Sequence, residues 1–464
     1  MDKKHEREHI ALVIGAGVAG SEAAYQLARH GIRVIVVDQN ALPYGKIEDG
    51  LPLWHIGLRD RVEEDIDRKL RHPKIKFLPL FRLGKDMQLQ ELMSNYAFDA
   101  VILAFGAWKD RPLPVEGIEK FKETGQLIYQ NDLLKWYNHR HEPGYDGPQF
   151  EIQDGVTVIG GGLSSLDVMK IVMMELAGKK LKEKFGLDYD LFTLERKGIK
   201  KILEENGLRW EDLGLKGATL VYRRSAREMP LKIPASDDPA DKEKARDIAE
   251  KLLNTYKEKF GFRFIPNAVP AGFEEENGKL KALILERTQT RDGKLIRTGE
   301  TFRHETPQVI SSIGSVPVKL PGIPYDGDSI KTEGPLKAQV SGYENLFAVG
   351  NAVTGKGNIK MAKEHGRQAM KNWIETRRKP VAGVLRQLDD KYLEDTDKRA
   401  ESISEYILTK PVPTQEEVER IWELVENRRK AIGYTNYDEW IRRHKPVRLE
   451  ELLKQKQKKN SRLS

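Results

Sequence analysis

The apolar positions of this 464-residue chain fall into short unbroken runs, each stopped by glycine and followed by a stretch in which apolar residues recur at helical spacing. The first run, Ile10 to Ile14, leads into Gly15, Gly17 and Gly20 and a helical pattern through Arg29; the second, Val34 to Val37, ends in Asp38. Unbroken runs of this length bounded by turn residues predict strands buried on both faces, as in a parallel sheet. Val62, Ile66 and Leu70 space a helix over Arg59 to Leu70, Lys74 to Leu78 reads as a strand, and the apolar run from Phe98 meets a glycine turn at Gly106. Residues 127–141 carry the pattern of a connecting helix, and Glu142 to Pro148 that of a hinge.

The opening pattern then returns. Gly155 to Ile159 is a strand, Gly160, Gly161 and Gly162 with Ser164 form the turn, and Leu166 to Met174 is an apolar helix. Charged helical segments fill 175–216 before the next strand, Ala218 to Tyr222, which ends in Arg223 and Arg224. A helix over Asp237 to Lys259, a strand over Phe262 to Ile265 and a hairpin around Asp292 and Gly293 follow, and Gln308 to Gly314 reads as a strand crossing back to the first unit. Asn345 to Val349 is a further strand, succeeded by Gly350, Asn351, Gly355, Gly357 and Ile359 and by a helix from Met361 to Arg377. From Lys379 the composition shifts to charge-rich helical segments over 382–408, 414–432 and 436–455.

A strand, a G-x-G-x-x-G turn, a helix and a second strand ending in an acid have a specific physical reading. Gly15 permits the tight turn, Gly17 carries no Cβ to keep backbone amides from a pyrophosphate, Gly20 lets helix and strand pack closely, and Asp38 accepts hydrogen bonds from a ribose diol. The phosphates meet a helix N-terminus, whose unsatisfied N–H groups and dipole favour negative charge. The second unit ends differently: an arginine pair offers planar donors to a 2′-phosphate where an acid would repel it, so the second site is expected to prefer NADP(H). The expected fold is α/β, with two Rossmann-like dinucleotide-binding domains, the NADP domain inserted in the first, plus a helical C-terminal extension. The expected boundaries are 1–145 and 309–378 for the first domain, 146–308 for the second and 379–464 for the extension, whose role is bracing or dimerising, with a docking arm as the alternative.

Composition narrows the chemistry. The chain has no cysteine, which removes disulfides, redox dithiols, thiolate metal sites and cysteine-held iron–sulfur clusters, so electron chemistry falls to a bound organic cofactor and no metal site is expected. The net charge is +8, from 79 basic and 71 acidic residues, a balance that suits an acidic partner. No nucleic-acid-binding motif accompanies it. The polar start of the chain lacks the apolar stretch of a signal peptide and no run is long enough to span a membrane, so a cytoplasmic location is expected.

With two glycine units, the arginine pair and the stretch from Asn345 to Ile359 in view, the chain resembles the adrenodoxin-reductase-type ferredoxin–NADP reductases and the related small subunit of glutamate synthase, over roughly residues 8–375. The Pro43, Tyr44, Gly45 loop through Gly50 and His55 is similar to a family loop near the flavin, and Thr219 to Arg224 with Glu228 looks like the NADPH strand of the glutamate-synthase type. The resemblance implies FAD on the first unit and NADPH on the second. It places Gly350, Gly357 and Ile359 at the flavin, Gly355 where flavin and nicotinamide meet, and His55 in tuning the flavin. It further implies hydride transfer from NADPH to FAD and onward transfer to a ferredoxin or flavodoxin, or service as an NADPH-oxidising subunit of a larger enzyme. Leu163 and Asn351 depart from the family pattern, which usually has Asn at the first position and Asp or Trp at the second; a redox sensor or non-catalytic binding protein that keeps FAD without productive NADPH docking is the further alternative those departures allow.

Overall fold

A computed structural model of the protein describes residues 7–236, 238–333, 338–354 and 398–460. Gly355, Gly357 and Ile359, and the helix expected from Met361, lie outside the described residues. The expected α/β architecture is present, with two predominantly parallel sheets.

The first sheet runs Thr332–Glu333, Gln339–Val340, Leu346–Ala348, Ala100–Leu103, Ile10–Ile14, Arg33–Val37, Ile75–Leu78. Its last five strands are mutually parallel, with Val13 opposite both Val36 and Ile102. Ile10–Ile14 lies at the heart of the sheet and all its residues are buried, which is why its sequence is unbroken apolar rather than alternating. Side chains still alternate between faces. Ala11, Val13, Val34 and Val36 pack against Ala23, Ala24 and Leu27 of the helix Val18–Arg29, whereas Ile10, Leu12, Ile35 and Leu103 face the opposite layer.

The C-terminal segment is part of this core. Val418, Ile421, Trp422 and Val425 of the helix Gln415–Ile432 join the second of those layers, while Ala400, Ile403 and Ile407 of the helical stretch 398–408, with Trp440 and Ile441 of Tyr437–His444, join the first. Thr414 caps Gln415–Ile432 in a reciprocal capping box with Glu417, and Gly433 ends it in a left-handed conformation. The segment thus covers both faces of the first sheet.

The second sheet runs Leu127–Tyr129, Val309–Ser312, Thr157–Gly160, Thr219–Val221, Arg263–Ile265, all parallel. The long helix Leu163–Phe185 and the helix Pro239–Phe260 pack on one face. An antiparallel sheet of Ala268–Glu276, Lys279–Arg291 and Lys294–Glu305 adjoins it, turning at Asp292 and Gly293 as the sequence predicts. Two expectations change here. Val309–Ser312 does not return to the first sheet but sits between Leu127–Tyr129 and Thr157–Gly160 in the second. The span 127–141 begins as a strand and becomes helical only over Gln130–His139. Both runs hold apolar residues in positions that a buried strand and a crossing segment fill equally well, so periodicity alone does not separate them. The chain passes between the sheets through the short antiparallel pair Lys109–Asp110 and Ser315–Val316.

Candidate functional site

The turn after Ile10–Ile14 is built by close approach. Gly15 has φ +104°, its N–H donates to the Val37 carbonyl at 2.8 Å, and an added Cβ would lie 2.6 Å from the Ala104 carbonyl oxygen. A Cβ on Gly20 would overlap the Gly15 carbonyl oxygen, whereas Gly17, the residue before the helix Val18–Arg29, looks into open space. That helix start has no side-chain cap, so its first N–H groups stay available to an anion. Asp38 closes the unit. It accepts from the Ala16 N–H at 2.8 Å and the Asn40 N–H at 2.9 Å and is 6% exposed. Burial pushes its carboxyl up to about 6; the two backbone donors pull the other way, and the charge of Asp49 adds to the rise.

Gly15, Gly17 and Asp38 line a solvent-open cleft. Gly45, Gly50, His55, Gly106 and Asn351 also line it, while Gly350 is buried beside Asn351. Leu163, Ser164 and Asp167, from the first turns of the second unit's helix, line the cleft as well. The cleft is therefore shared: strand ends of the first sheet and a helix start of the second face one space. Gly45 (φ +55°) turns the loop into the short helix Lys46–Asp49, with Tyr44 fully buried beneath it and bonded to Asp67 at 3.0 Å. The Trp54 indole N–H donates to His55 Nε2 at 3.0 Å, which makes Nε2 an acceptor and leaves the ring proton of neutral His55 on Nδ1. The Asp167 carboxylate stands 4.0 Å from the same Nε2.

At the second glycine turn, Cβ atoms on Gly160 and Gly161 would overlap Ser165 and the Tyr222 ring respectively, and Gly162 precedes the helix with open space before it. Gly160 and Gly161 thus serve packing, and Gly162 opens the helix start. Arg223 and Arg224 lie beyond the cleft, at the end of Thr219–Val221. They are not equivalent. Arg223 is exposed, whereas Arg224 donates to Glu228 at 3.1 Å, Thr290 Oγ1 at 3.1 Å and the Gly293 carbonyl at 3.0 Å. Burial works to raise the Glu228 carboxyl, but hydrogen bonds from Ser225, Thr290 and Arg224 outweigh it and hold the group at about 2.

Sequence reasoning did not find Lys46, Trp108, Asn131 and Asp167, all on the cleft wall. Lys46 follows Gly45 directly and Asp167 lies one turn into the second helix, so their positions were available once the turns were placed; Trp108 and Asn131 reach the cleft through tertiary structure alone. Glu48, His139 and Glu142 have ligand atoms close enough to hold a cation, but His139 already bridges Asp49 (3.0 Å) and Glu142 (2.6 Å), and Glu48 pairs with Arg448. Burial opposes the charge on His139 and the two carboxylates more than restore it, pushing its pKa up to about 9.

A sequence profile described as pyridine nucleotide-disulphide oxidoreductase matches residues 10–369, well over half of the chain. The chain belongs to the pyridine nucleotide-disulphide oxidoreductase family. Membership assigns FAD and NADP(H) as its cofactors. The chain has no cysteine and so does not itself carry the dithiol of the family name. It is 23% identical to a putative oxidoreductase, YgfK, of Escherichia coli O157:H7 over 371 residues, which is 78% of this chain and 28% of that protein. It is 35% identical to the glutamate synthase [NADH] of Schizosaccharomyces pombe over 169 residues, 34% of this chain and 7% of that one. The chain thus spans about a quarter of the first relative and less of the second. In structure it is similar to Mycobacterium tuberculosis FprA in complex with NADPH, with a TM-score of 0.64, 19% identity and 91% of each chain covered, a likeness of fold. Among the described residues no helix is long and apolar enough to cross a membrane.

Proposed function

We propose that the protein is an FAD-dependent reductase that takes hydride from NADPH and passes electrons to a small acidic electron-transfer protein of the ferredoxin or flavodoxin type. The observation that carries this reading is the shared cleft, lined both by Gly15, Gly17 and Asp38 of the first unit and by Leu163, Ser164 and Asp167 of the second. Gly15, Gly17 and the open helix start hold the FAD pyrophosphate, Asp38 the adenosine ribose, and Gly45, Gly50, His55, Gly106, Gly350 and Asn351 the ring end. Gly20 acts by letting the helix seat. On the second unit Gly162 and Ser164 receive the NADP(H) pyrophosphate, Gly160 keeps the turn closed, and Arg223 and Arg224 bound the 2′-phosphate site. When bound, the flavin supplies the electron chemistry, accepting a hydride and releasing electrons one at a time. His55 is held by the Trp54 indole at the meeting of the two units, where it orients the ring end and shields it from water. In the same reading the nucleotide unit extends beyond 146–308 to the crossing strands Lys109–Asp110 and Ser315–Val316.

The test is direct. The purified protein is expected to be yellow and to be bleached by NADPH under anaerobic conditions; a colourless protein that takes up no FAD overturns the reading. Arg223→Ala is expected to weaken NADPH about tenfold or more, the worth of a charge-assisted bond, with NADH affinity unchanged. Arg224→Ala is expected to lower the melting temperature as well, because Glu228, Thr290 and Gly293 lose their shared donor. Equal losses for both nucleotides would remove the 2′-phosphate assignment.

Asp38 gives a pH signature. Its apo pKa of about 6 lies above the usual carboxylate value of 3.8, so the folded apoprotein binds this proton more tightly than the unfolded chain and gains stability as pH falls from above 6 towards 3.8. Binding of a ribose diol requires the carboxylate. FAD affinity is therefore expected to rise with pH up to about 6 and then level, with proton release on binding below that point. Calorimetry in buffers of different ionisation enthalpy reads the proton directly, and Asp38→Asn should abolish both effects.

A second reading, an NADPH-oxidising portion of a larger assembly, is favoured by the small fraction of its relatives that the chain spans. Reduction of small acceptor proteins by the isolated chain separates the two.

A further inference from the structure

We propose that Arg428, from the C-terminal segment, is a positioning residue for the adenosine half of FAD: from outside the cleft it holds the loop 80–86 in a strained form that anchors Asp38. This rests on the flavin reading given above.

The strain lies at Leu80. Among the described residues four that are not glycine have positive φ, and three of them, Asn267, Asn277 and Asp292, are of the types that tolerate it. The fourth is Leu80, at φ +57°, in the loop that follows the strand Ile75–Leu78. Its side chain is exposed, so burial does not hold the backbone there. A residue in this conformation persists only where its surroundings over-determine it. Hydrogen bonds do so here. The Leu80 N–H donates to the Asn40 carbonyl at 3.3 Å, the Phe81 N–H donates to the Asp38 carbonyl at 2.8 Å, and the Leu80 carbonyl accepts from Arg428 Nη2.

The first two bonds tie the loop to the acid that closes the first unit. The Asp38 carboxylate in turn accepts from the Asn40 N–H at 2.9 Å, so Asp38, Asn40, Leu80 and Phe81 form one connected set. Asp38, Phe81, Arg82 and Leu83 all line the cofactor cleft. A return of Leu80 to negative φ reorients the Phe81 N–H and releases the Asp38 carbonyl, and the residue that meets the ribose loses one of its anchors.

Arg428 reaches this set from behind. It lies in the last turns of the helix Gln415–Ile432, whose Val418, Ile421, Trp422 and Val425 share an apolar layer with Phe81, Leu83 and Met87. The Nη2 that donates to Leu80 also donates to Asp86 Oδ1 at 3.2 Å, and Asp86 Oδ2 accepts from the Arg82 N–H at 2.8 Å. The guanidinium stands 5.8 Å from the centre of the Phe81 ring. One side chain thus grips both ends of the loop. Arg428 and Asp86 are each about a quarter exposed, and an ion pair so placed adds little to stability. Its bond to the carbonyl of a strained residue sets geometry instead.

The experiment uses the full chain and measures, for each variant, the FAD dissociation constant and the melting temperature of the FAD-free protein. Arg428→Met is expected to bind FAD about tenfold more weakly, the worth of one charge-assisted hydrogen bond, with little change in melting temperature. Arg428→Lys, which keeps a charged donor without the fork, should fall between that variant and the parent. Leu80→Gly added to Arg428→Met decides the matter: glycine takes positive φ without strain, so the affinity should return to within about threefold of the parent. Were Arg428 only a brace between helix and sheet, glycine at position 80 would restore nothing. Should Arg428→Met fail to fold, Asp86→Ala, which frees the other end of the loop, carries the same comparison with and without Leu80→Gly. A parent that binds FAD, with an Arg428→Met variant of equal affinity or one that Leu80→Gly does not restore, overturns the inference alone; a parent that takes up no FAD overturns the functional reading and this inference with it.

Discussion

Deleting residues 398–460 is expected to leave a chain that cannot keep its first sheet folded and therefore holds no flavin. The helices removed bury Val418, Ile421, Trp422 and Val425 on one face of that sheet and Ile403, Ile407, Trp440 and Ile441 on the other. Full burial of one such side chain is worth about 1.5–3 kcal/mol, and the net stability of a domain is only about 5–15 kcal/mol, so their combined loss exceeds what the remainder can absorb. Polar contacts point the same way. Arg448, 7% exposed, donates to Glu48 Oε2 at 2.9 Å and Glu63 Oε1 at 2.7 Å, and removing it leaves two largely enclosed carboxylates short of a partner. The Trp440 indole donates to the Ala41 carbonyl at 2.8 Å and Tyr437 shares Asp67 with Tyr44, which ties the segment to the loop preceding Gly45. Dye binding and circular dichroism read the outcome; a truncated protein with an unchanged melting temperature and full flavin content would show that the segment is an appendage. Trp440→Ala is the milder form, with an expected cost of about 3–5 kcal/mol.

Gly20→Ala is expected to be nearly as severe for a single methyl group. The added Cβ would occupy the place of the Gly15 carbonyl oxygen, which is backbone and cannot rotate away, and the next neighbour is the Ala104 methyl at 3.2 Å. Relief requires the helix Val18–Arg29 to lift from the sheet, which separates Ala23, Ala24 and Leu27 from Val13 and Val36 and moves the helix start relative to Asp38. Overpacking of this kind costs about 1–3 kcal/mol and more where backbone must shift. The expected result is a lowered melting temperature together with at least a tenfold loss of FAD affinity. Gly17→Ala is the control: its Cβ meets nothing within 4 Å, so the fold should persist while cofactor affinity falls. A Gly20→Ala protein as stable as its parent would contradict the packing argument.

How much of this was legible beforehand depends on the range of the interaction involved. The two glycine turns, the acid at Asp38 and the arginines at the end of the second unit are local, because strand, turn and helix propensities act over a few residues and their spacing is printed in the chain. The capping box of Thr414 and Glu417 is local too, and the helix it starts was foreseen almost to the residue. Partner choice is not local. Val309–Ser312 has the composition of any buried strand, and only its neighbours Leu127–Tyr129 and Thr157–Gly160 decide the sheet to which it belongs. Arg223 and Arg224 read as an equal pair, yet Glu228, Thr290 and Gly293 engage only the second. Lys46 and Asn131 lie 85 positions apart and meet through the crossing of two domains. The C-terminal helices advertised apolar faces, and nothing in their own pattern said that the opposite end of the chain would cover them.

That covering bears on how the protein is made. The strand Ile10–Ile14 leaves the ribosome well before the residues from beyond position 400 that close the layers on both its sides, and the Trp440 bond to Ala41 joins positions 399 apart. The second sheet, whose strands all lie between Leu127 and Ser312, has among the described residues no residue from beyond position 400 in its core. During synthesis it can assemble while the first sheet waits with an exposed apolar face, the interval in which a non-local fold is open to aggregation. Capture of the adenosine half of the cofactor at Gly15 and Asp38 then waits until the helices beyond position 400 have docked.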